Sequence, residues 1–134
     1  MNSKPEANAT TDRKVILSTL WIFATLNYIY ADVFTLFFVP GAQQTTASMT
    51  AGAAFGFAVL METAIAMVLV SRLVKYAVNR WANILVGVIH TAAVLSSLFT
   101  GTPQAPYYVL FACVEIACTL FIIWYAWRWA KPAA

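Results

Sequence analysis

The chain has 134 residues, 62% of them hydrophobic and only 10% charged, with a formal net charge of +3. A soluble domain of this size needs far more charge to cover its surface, so the composition predicts a membrane protein with several spans. The basic residues flank apolar segments and form no patch with interleaved aromatic residues, which excludes a nucleic-acid interface.

Four apolar segments follow a polar N-terminal tail, which covers residues 1–14 and is expected to lie loosely at the membrane surface. Each segment is long enough to cross the hydrocarbon core as a helix at about 1.5 Å per residue. Together they form a transmembrane domain over residues 15–131, with approximate spans 15–39, 51–74, 81–99 and 106–129. Because the connections are short, sequential helices should pack antiparallel. The predicted fold is an all-α integral membrane protein, a four-transmembrane-helix bundle with up-down-up-down topology.

Charge in the connections predicts the orientation. Basic residues lie before the first span, between the second and third, and after the fourth, namely Arg13, Lys14, Arg72, Lys75, Arg80, Arg128 and Lys131. The connections at 40–50 and 100–105 contain no Lys or Arg. By the positive-inside rule, both termini and the middle connection face the cytoplasm. Aromatic residues toward the segment ends, Trp21 and Trp81 among them, are expected to form an interfacial belt.

Each predicted span carries one residue that is either an acid or a histidine: Asp32, Glu62, His90 and Glu115 in chain order. An acid at the centre of a bilayer costs about 2.5–3.5 kcal/mol, so such residues indicate function. Helical spacing places each on a stripe that is predicted to face inward. Glu62, His90 and Glu115 would share a mid-membrane layer, with Asp32 nearer the outer mouth. The predicted ligand- or proton-binding site comprises Asn27, Tyr28, Asp32, Glu62, His90 and Glu115.

This predicted site has no basic residue to balance its acids. Burial and neighbouring like charges both disfavour the charged form of a carboxyl group. At least one of Glu62 and Glu115 should therefore be protonated, or a cation should occupy the site. A metal centre is the weaker alternative, because the Glu-x-x-His spacing of bundle metal sites is absent, and we predict none. In the alternative without a site, these side chains only tie the helices together by hydrogen bonds.

Several motifs carry a family resemblance. They are Leu17-Ser-Thr-Leu-Trp21, Leu26-Asn-Tyr-Ile-Tyr-Ala-Asp-Val33, Met61-Glu-Thr63 with Ser71-Arg72, Asn79-Arg-Trp-Ala-Asn83, and Pro106-Tyr-Tyr108 with Glu115. Over nearly the whole chain after the polar tail, they resemble a bacterial family of small four-span membrane proteins of unknown function. The resemblance implies four spans and a bacterial inner membrane, and it implies no activity. More loosely, the architecture is similar to that of DoxX-like four-helix membrane proteins, a likeness of fold that is weak evidence for function.

Three hypotheses about function remain open. The first is the binding or transport of a small molecule or cation, with or without proton coupling. The second is an intramembrane enzyme whose Glu and His side chains do acid–base chemistry on a lipid or isoprenoid. The third is an accessory subunit of a larger membrane complex. No catalytic residue and no cofactor is assigned. The expected partners are the lipid bilayer, a small-molecule, cation or lipid ligand, and either a second copy of the chain or a larger complex.

Overall fold

A computed structural model describes residues 3–99 and 105–130 of the chain. These ranges contain five helices and no strand: α1 Ser3–Phe38, α2 Ala42–Ala47, α3 Ala51–Leu73, α4 Tyr76–Phe99 and α5 Pro106–Trp127. All except the short α2 are long and apolar enough to cross a membrane. The structure therefore confirms the all-α fold with four membrane-spanning helices.

The four long helices pack as a ring, in which α1 contacts α3 and α5, and α4 contacts the same two helices. Each long helix thus lies beside its neighbour in sequence, and α5 returns to α1. The packing is closest between α4 and α5 and loosest between α3 and α4. Gly87 accounts for the close pair, because a Cβ there would lie only 2.8 Å from Cγ1 of Ile123 on α5.

The helices differ from the expected spans mainly at their ends. α1 begins at Ser3, so the polar segment expected to lie loosely at the membrane surface is helical from that residue onward. Its proline, Pro5, falls in the first turn, where a proline is tolerated. α4 begins at Tyr76, five residues before the expected start at Trp81. Hydropathy marks where a chain becomes apolar, whereas a helix ends only where its backbone pattern is broken. Residues 1–2, 100–104 and 131 of the expected domains lie outside the described residues.

Basic side chains cap the carbonyl ends of two helices at one end of the bundle, called the basic end below. Lys14 Nζ donates to the Val74 carbonyl at 2.7 Å, just past the end of α3. Arg80 donates to the carbonyl of Trp127, the last residue of α5, at 3.1 Å. The C-terminus of a helix carries partial negative charge, which cations stabilise. Residues that the sequence marks as orientation signals therefore also hold the helices together.

A buried polar network closes the core toward the basic end. Trp21 Nε1 donates to Asn83 Oδ1 at 2.7 Å, and the Asn83 amide donates to Asn79 Oδ1 at 2.7 Å. The Asn79 amide donates in turn to the Ser71 carbonyl at 2.6 Å. All four residues are fully buried. The expected place of Trp21 in an interfacial belt is therefore wrong, whereas Trp81 is exposed.

Candidate functional site

The end of the bundle opposite the basic end is called the open end below. A cavity of about 380 Å³ lies in the half of the bundle toward this open end. All four long helices line it. Its polar and ionisable lining residues include Tyr28, Asp32, Thr35, His90, Tyr108 and Glu115. Pockets for small organic ligands measure about 300–1,000 Å³, so this cavity has room for a small molecule.

Four of the six predicted site residues line this cavity: Tyr28, Asp32, His90 and Glu115. Tyr28, His90 and Glu115 are buried, whereas Asp32 is exposed. This is the arrangement in depth that helical spacing predicts, with Asp32 toward the mouth. Three helices, α1, α4 and α5, therefore contribute the ionisable groups of the site.

Glu62 does not join this cluster. It is exposed, and Phe55 and Leu69 on the same stripe are 71% and 62% exposed. α3 instead buries the opposite face, on which Ala64 and Ser71 are fully buried. Small residues let helix backbones approach closely in a membrane. The expected inward position of Glu62 is therefore wrong, because the small-residue face sets the rotation of α3.

Asn27 also lies outside the cavity lining. It is half-buried, and its Nδ2 donates to the Phe23 carbonyl one turn earlier on α1, at 2.9 Å. Its own helix thus supplies the hydrogen-bond acceptor for the side-chain N–H group of Asn27, and this N–H group needs no partner from another helix. Asn27 is corrected from a predicted site residue to a side chain bonded within α1.

His90 is held between two aromatic rings and a hydroxyl. It stacks on Tyr28 at 5.3 Å between ring centroids and meets Trp21 edge-on at 5.5 Å. Its Nε2 lies 3.0 Å from Oγ1 of Thr63, and that hydroxyl also lies 2.6 Å from the Leu60 carbonyl. Since Thr63 must donate its single proton to that carbonyl, its oxygen accepts from His90. The hydrogen-bond network therefore assigns a proton to Nε2.

The sequence did not identify Thr63 as the partner of His90. Thr63 directly follows Glu62 and lies about 100° around the helix from it, so the two side chains face different directions. The ionisable group favours Glu62 for the inward place, whereas the structure turns Thr63 toward α4. A threonine beside the small buried residue Ala64 is the signal that would have identified the inward face.

Glu115 is the buried acid of the cavity, with 5% of its surface exposed. Its Oε1 has no hydrogen-bond partner among the described residues, and neither does the hydroxyl of Tyr28. In the part of the chain that the structure describes, no Lys or Arg lines the cavity. A buried polar atom without a partner costs about 1–3 kcal/mol, and a charged one costs more. The cavity therefore favours a ligand that supplies a hydrogen-bond donor or a positive charge.

Within residues 3–99 and 105–130, no group of three or more His, Cys, Asp or Glu side chains is placed to hold a metal ion.

The fold and this cavity can be compared with known proteins. No curated protein and no solved structure matches the chain, so the DoxX-like architecture stays a prediction. A family model matches residues 7–134, in agreement with the resemblance carried by the sequence motifs. The chain belongs to the family of unknown function DUF6326.

Proposed function

We propose that this membrane protein binds a small organic cation in its cavity, with Glu115 and Asp32 as the counter-charges. The observation that carries the proposal is Oε1 of Glu115, which is buried without a partner in a cavity that no described Lys or Arg lines. A cation would supply the opposite charge, and a cation with an N–H group would also supply a hydrogen-bond donor. Opposite charges attract strongly where water is excluded, because the effective dielectric constant is low there.

The surroundings of the two acids favour a cation over an anion. Asp32 and Glu115 interact electrostatically with each other, so a cation beside both would relieve the repulsion between two carboxylates. Tyr28 lines the same cavity, and aromatic faces attract cations within about 6 Å of the ring centroid. An anion would meet two acids and no described basic residue.

The closed basic end supports binding more than open passage. The network of Trp21, Asn83, Asn79 and Ser71 is buried between the cavity and that end. A ligand in the cavity would reach the other side only after this network had opened. Transport, with or without proton coupling, would therefore require a second conformation, and we propose binding itself as the activity of the protein.

Charge selectivity tests the proposal. Benzyltrimethylammonium and benzenesulfonate are similar in size and opposite in charge, and each can be titrated calorimetrically into the purified protein in neutral detergent. We expect saturable binding of the ammonium ion and none of the sulfonate. Because the acids must be ionised to act as counter-charges, affinity for the ammonium ion should rise with pH. Failure of the ammonium ion to bind, or equal binding of both probes, contradicts the proposal.

The other two hypotheses stay predictions. Acid–base chemistry on a lipid or isoprenoid would use the same Glu115 and His90, and an accessory subunit would use the outer faces of the helices. A lipid that co-purifies and is altered on incubation would favour the enzyme. A partner protein retained after mild extraction would favour the accessory role.

A further inference from the structure

We infer that the ligand enters this cavity sideways from the bilayer, between α3 and α4, and that it is a cationic amphiphile. The inference rests on the proposed function and narrows its ligand to a molecule with an ammonium head and an apolar tail. The head would lie beside Glu115 and Asp32. The tail would leave the cavity between Phe57 on α3 and Ser96 on α4.

α3 and α4 separate toward the open end. The hydrogen bond from His90 to Thr63 joins them at mid-height, yet they pack more loosely than any other neighbouring pair of long helices. Beyond that bond, every residue from 51 to 59 is exposed. A Cβ added at Gly52 or Gly56 would meet nothing within 4 Å. The part of α3 nearest the open end, residues 51–59, therefore stands away from the bundle and leaves a gap beside α4.

The cavity reaches this gap. Its lining includes Phe57 and Met61 on α3, and Ala93 and Ser96 on α4, so both sides of the gap contribute. Phe57 is 56% exposed and Ser96 is also exposed. Side chains that line a cavity and also face outward mark an opening in its wall.

The opening lies at the depth of the lipid tails. α3 begins at Ala51, at the open end. At about 1.5 Å per residue, Phe57 and Met61 lie about 9 and 15 Å along the helix from that start. A hydrocarbon core is about 30 Å thick, so both residues fall within the half of it that is nearer the open end. A molecule that leaves or enters here meets acyl chains rather than water.

The chemistry along this route changes from apolar to acidic. Phe57, Leu60 and Met61 border the gap, and Glu115 and Asp32 lie within the cavity. This order matches a molecule that buries its tail in the bilayer and its cationic head in the protein. An ordinary phospholipid matches less well, because its phosphate would be repelled by both acids.

Photolabelling of the protein in lipid nanodiscs tests the route. The probe is a benzyldimethylalkylammonium ion with a diazirine in the first half of its alkyl chain, and labelled peptides are identified by mass spectrometry. We expect label on Phe57, Met61 and Ser96 that excess benzyltrimethylammonium suppresses. Label on lipid-facing residues such as Leu69 should resist that competition, because those residues meet the probe only in the bilayer.

A matched pair of variants tests whether the gap is required. Ser96→Trp places a large ring in the opening, whereas Leu95→Trp places the same ring one residue earlier, at a position that is 41% exposed and outside the cavity lining. Ser96→Trp should lose the competed label, while gel filtration and thermal unfolding show that the variant is folded. Leu95→Trp should keep the competed label and also be folded.

The outcomes separate this inference from the function on which it rests. If benzyltrimethylammonium binds but no competed label appears at the gap, the lateral route is wrong and cation binding stands. The lateral route is also wrong, and cation binding stands, if Ser96→Trp and Leu95→Trp show the same competed label. If benzyltrimethylammonium does not bind the wild-type protein, the proposed function and the lateral route both fall.

Discussion

Glu115→Gln should weaken binding of benzyltrimethylammonium by about tenfold or more, whereas Glu62→Gln should leave it unchanged. Glutamine keeps the shape of the side chain and removes its charge. Two opposite unit charges about 5 Å apart attract by about 3 kcal/mol at an effective dielectric constant of about 20, and about 1.4 kcal/mol is a factor of ten in affinity. Glu115 lines the cavity and is buried, so its variant should lose this interaction.

Glu62→Gln is the matched control, because it makes the same chemical change on α3, which does not pack beside α5. Glu62 is exposed and outside the cavity lining, so its charge should not act on the ligand. Calorimetric titration gives the affinities, and gel filtration with thermal unfolding shows that each variant is folded. Equal losses in the two variants would mean that α3 turns Glu62 inward, as its sequence stripe suggested. If Glu115→Gln binds benzyltrimethylammonium as tightly as the wild type, the carboxyl group of Glu115 is not the counter-charge of the ligand.

The number and type of spans follow from the sequence alone. Apolar segments of this length must become helices in a bilayer, because only internal hydrogen bonds satisfy their backbone there. Short connections then leave little choice but antiparallel neighbours. Helix ends are less predictable, and the beginning of α1 at Ser3 had a consequence for Trp21. With the helix extended in that direction, Trp21 lies well inside it and enters the core rather than a surface belt.

The direction in which each helix faces is harder to predict. In water, the apolar side of a helix is the buried side, but in a membrane the lipid is as apolar as the core. Polar residues then become the guide, and Asp32, His90 and Glu115, which this guide selects, all line the cavity. On α3 this guide was wrong, because close packing of Ala64 and Ser71 determines the rotation and leaves Glu62 outside.

Gly87→Ala should lower the free energy of unfolding by about 1–3 kcal/mol, the usual cost of overpacking, whereas Gly56→Ala should not lower it. The new methyl group at position 87 would lie 2.8 Å from Cγ1 of Ile123 and 3.6 Å from the Thr119 carbonyl. At position 56 it would meet nothing within 4 Å. Alanine is the better helix former by about 0.5–1 kcal/mol, so a loss at position 87 must come from packing.

Thermal unfolding in detergent measures both variants, and a second change isolates the contact. Ile123→Ala removes the atoms that the new methyl group would meet, so Gly87→Ala should cost less in that background than in the wild type. Equal costs in the two backgrounds would mean that α4 and α5 are not in close contact at this point. A loss of stability in Gly56→Ala would mean that the part of α3 nearest the open end packs on another surface. The gap beside α4 would then be closed, and a cationic amphiphile could not enter through it.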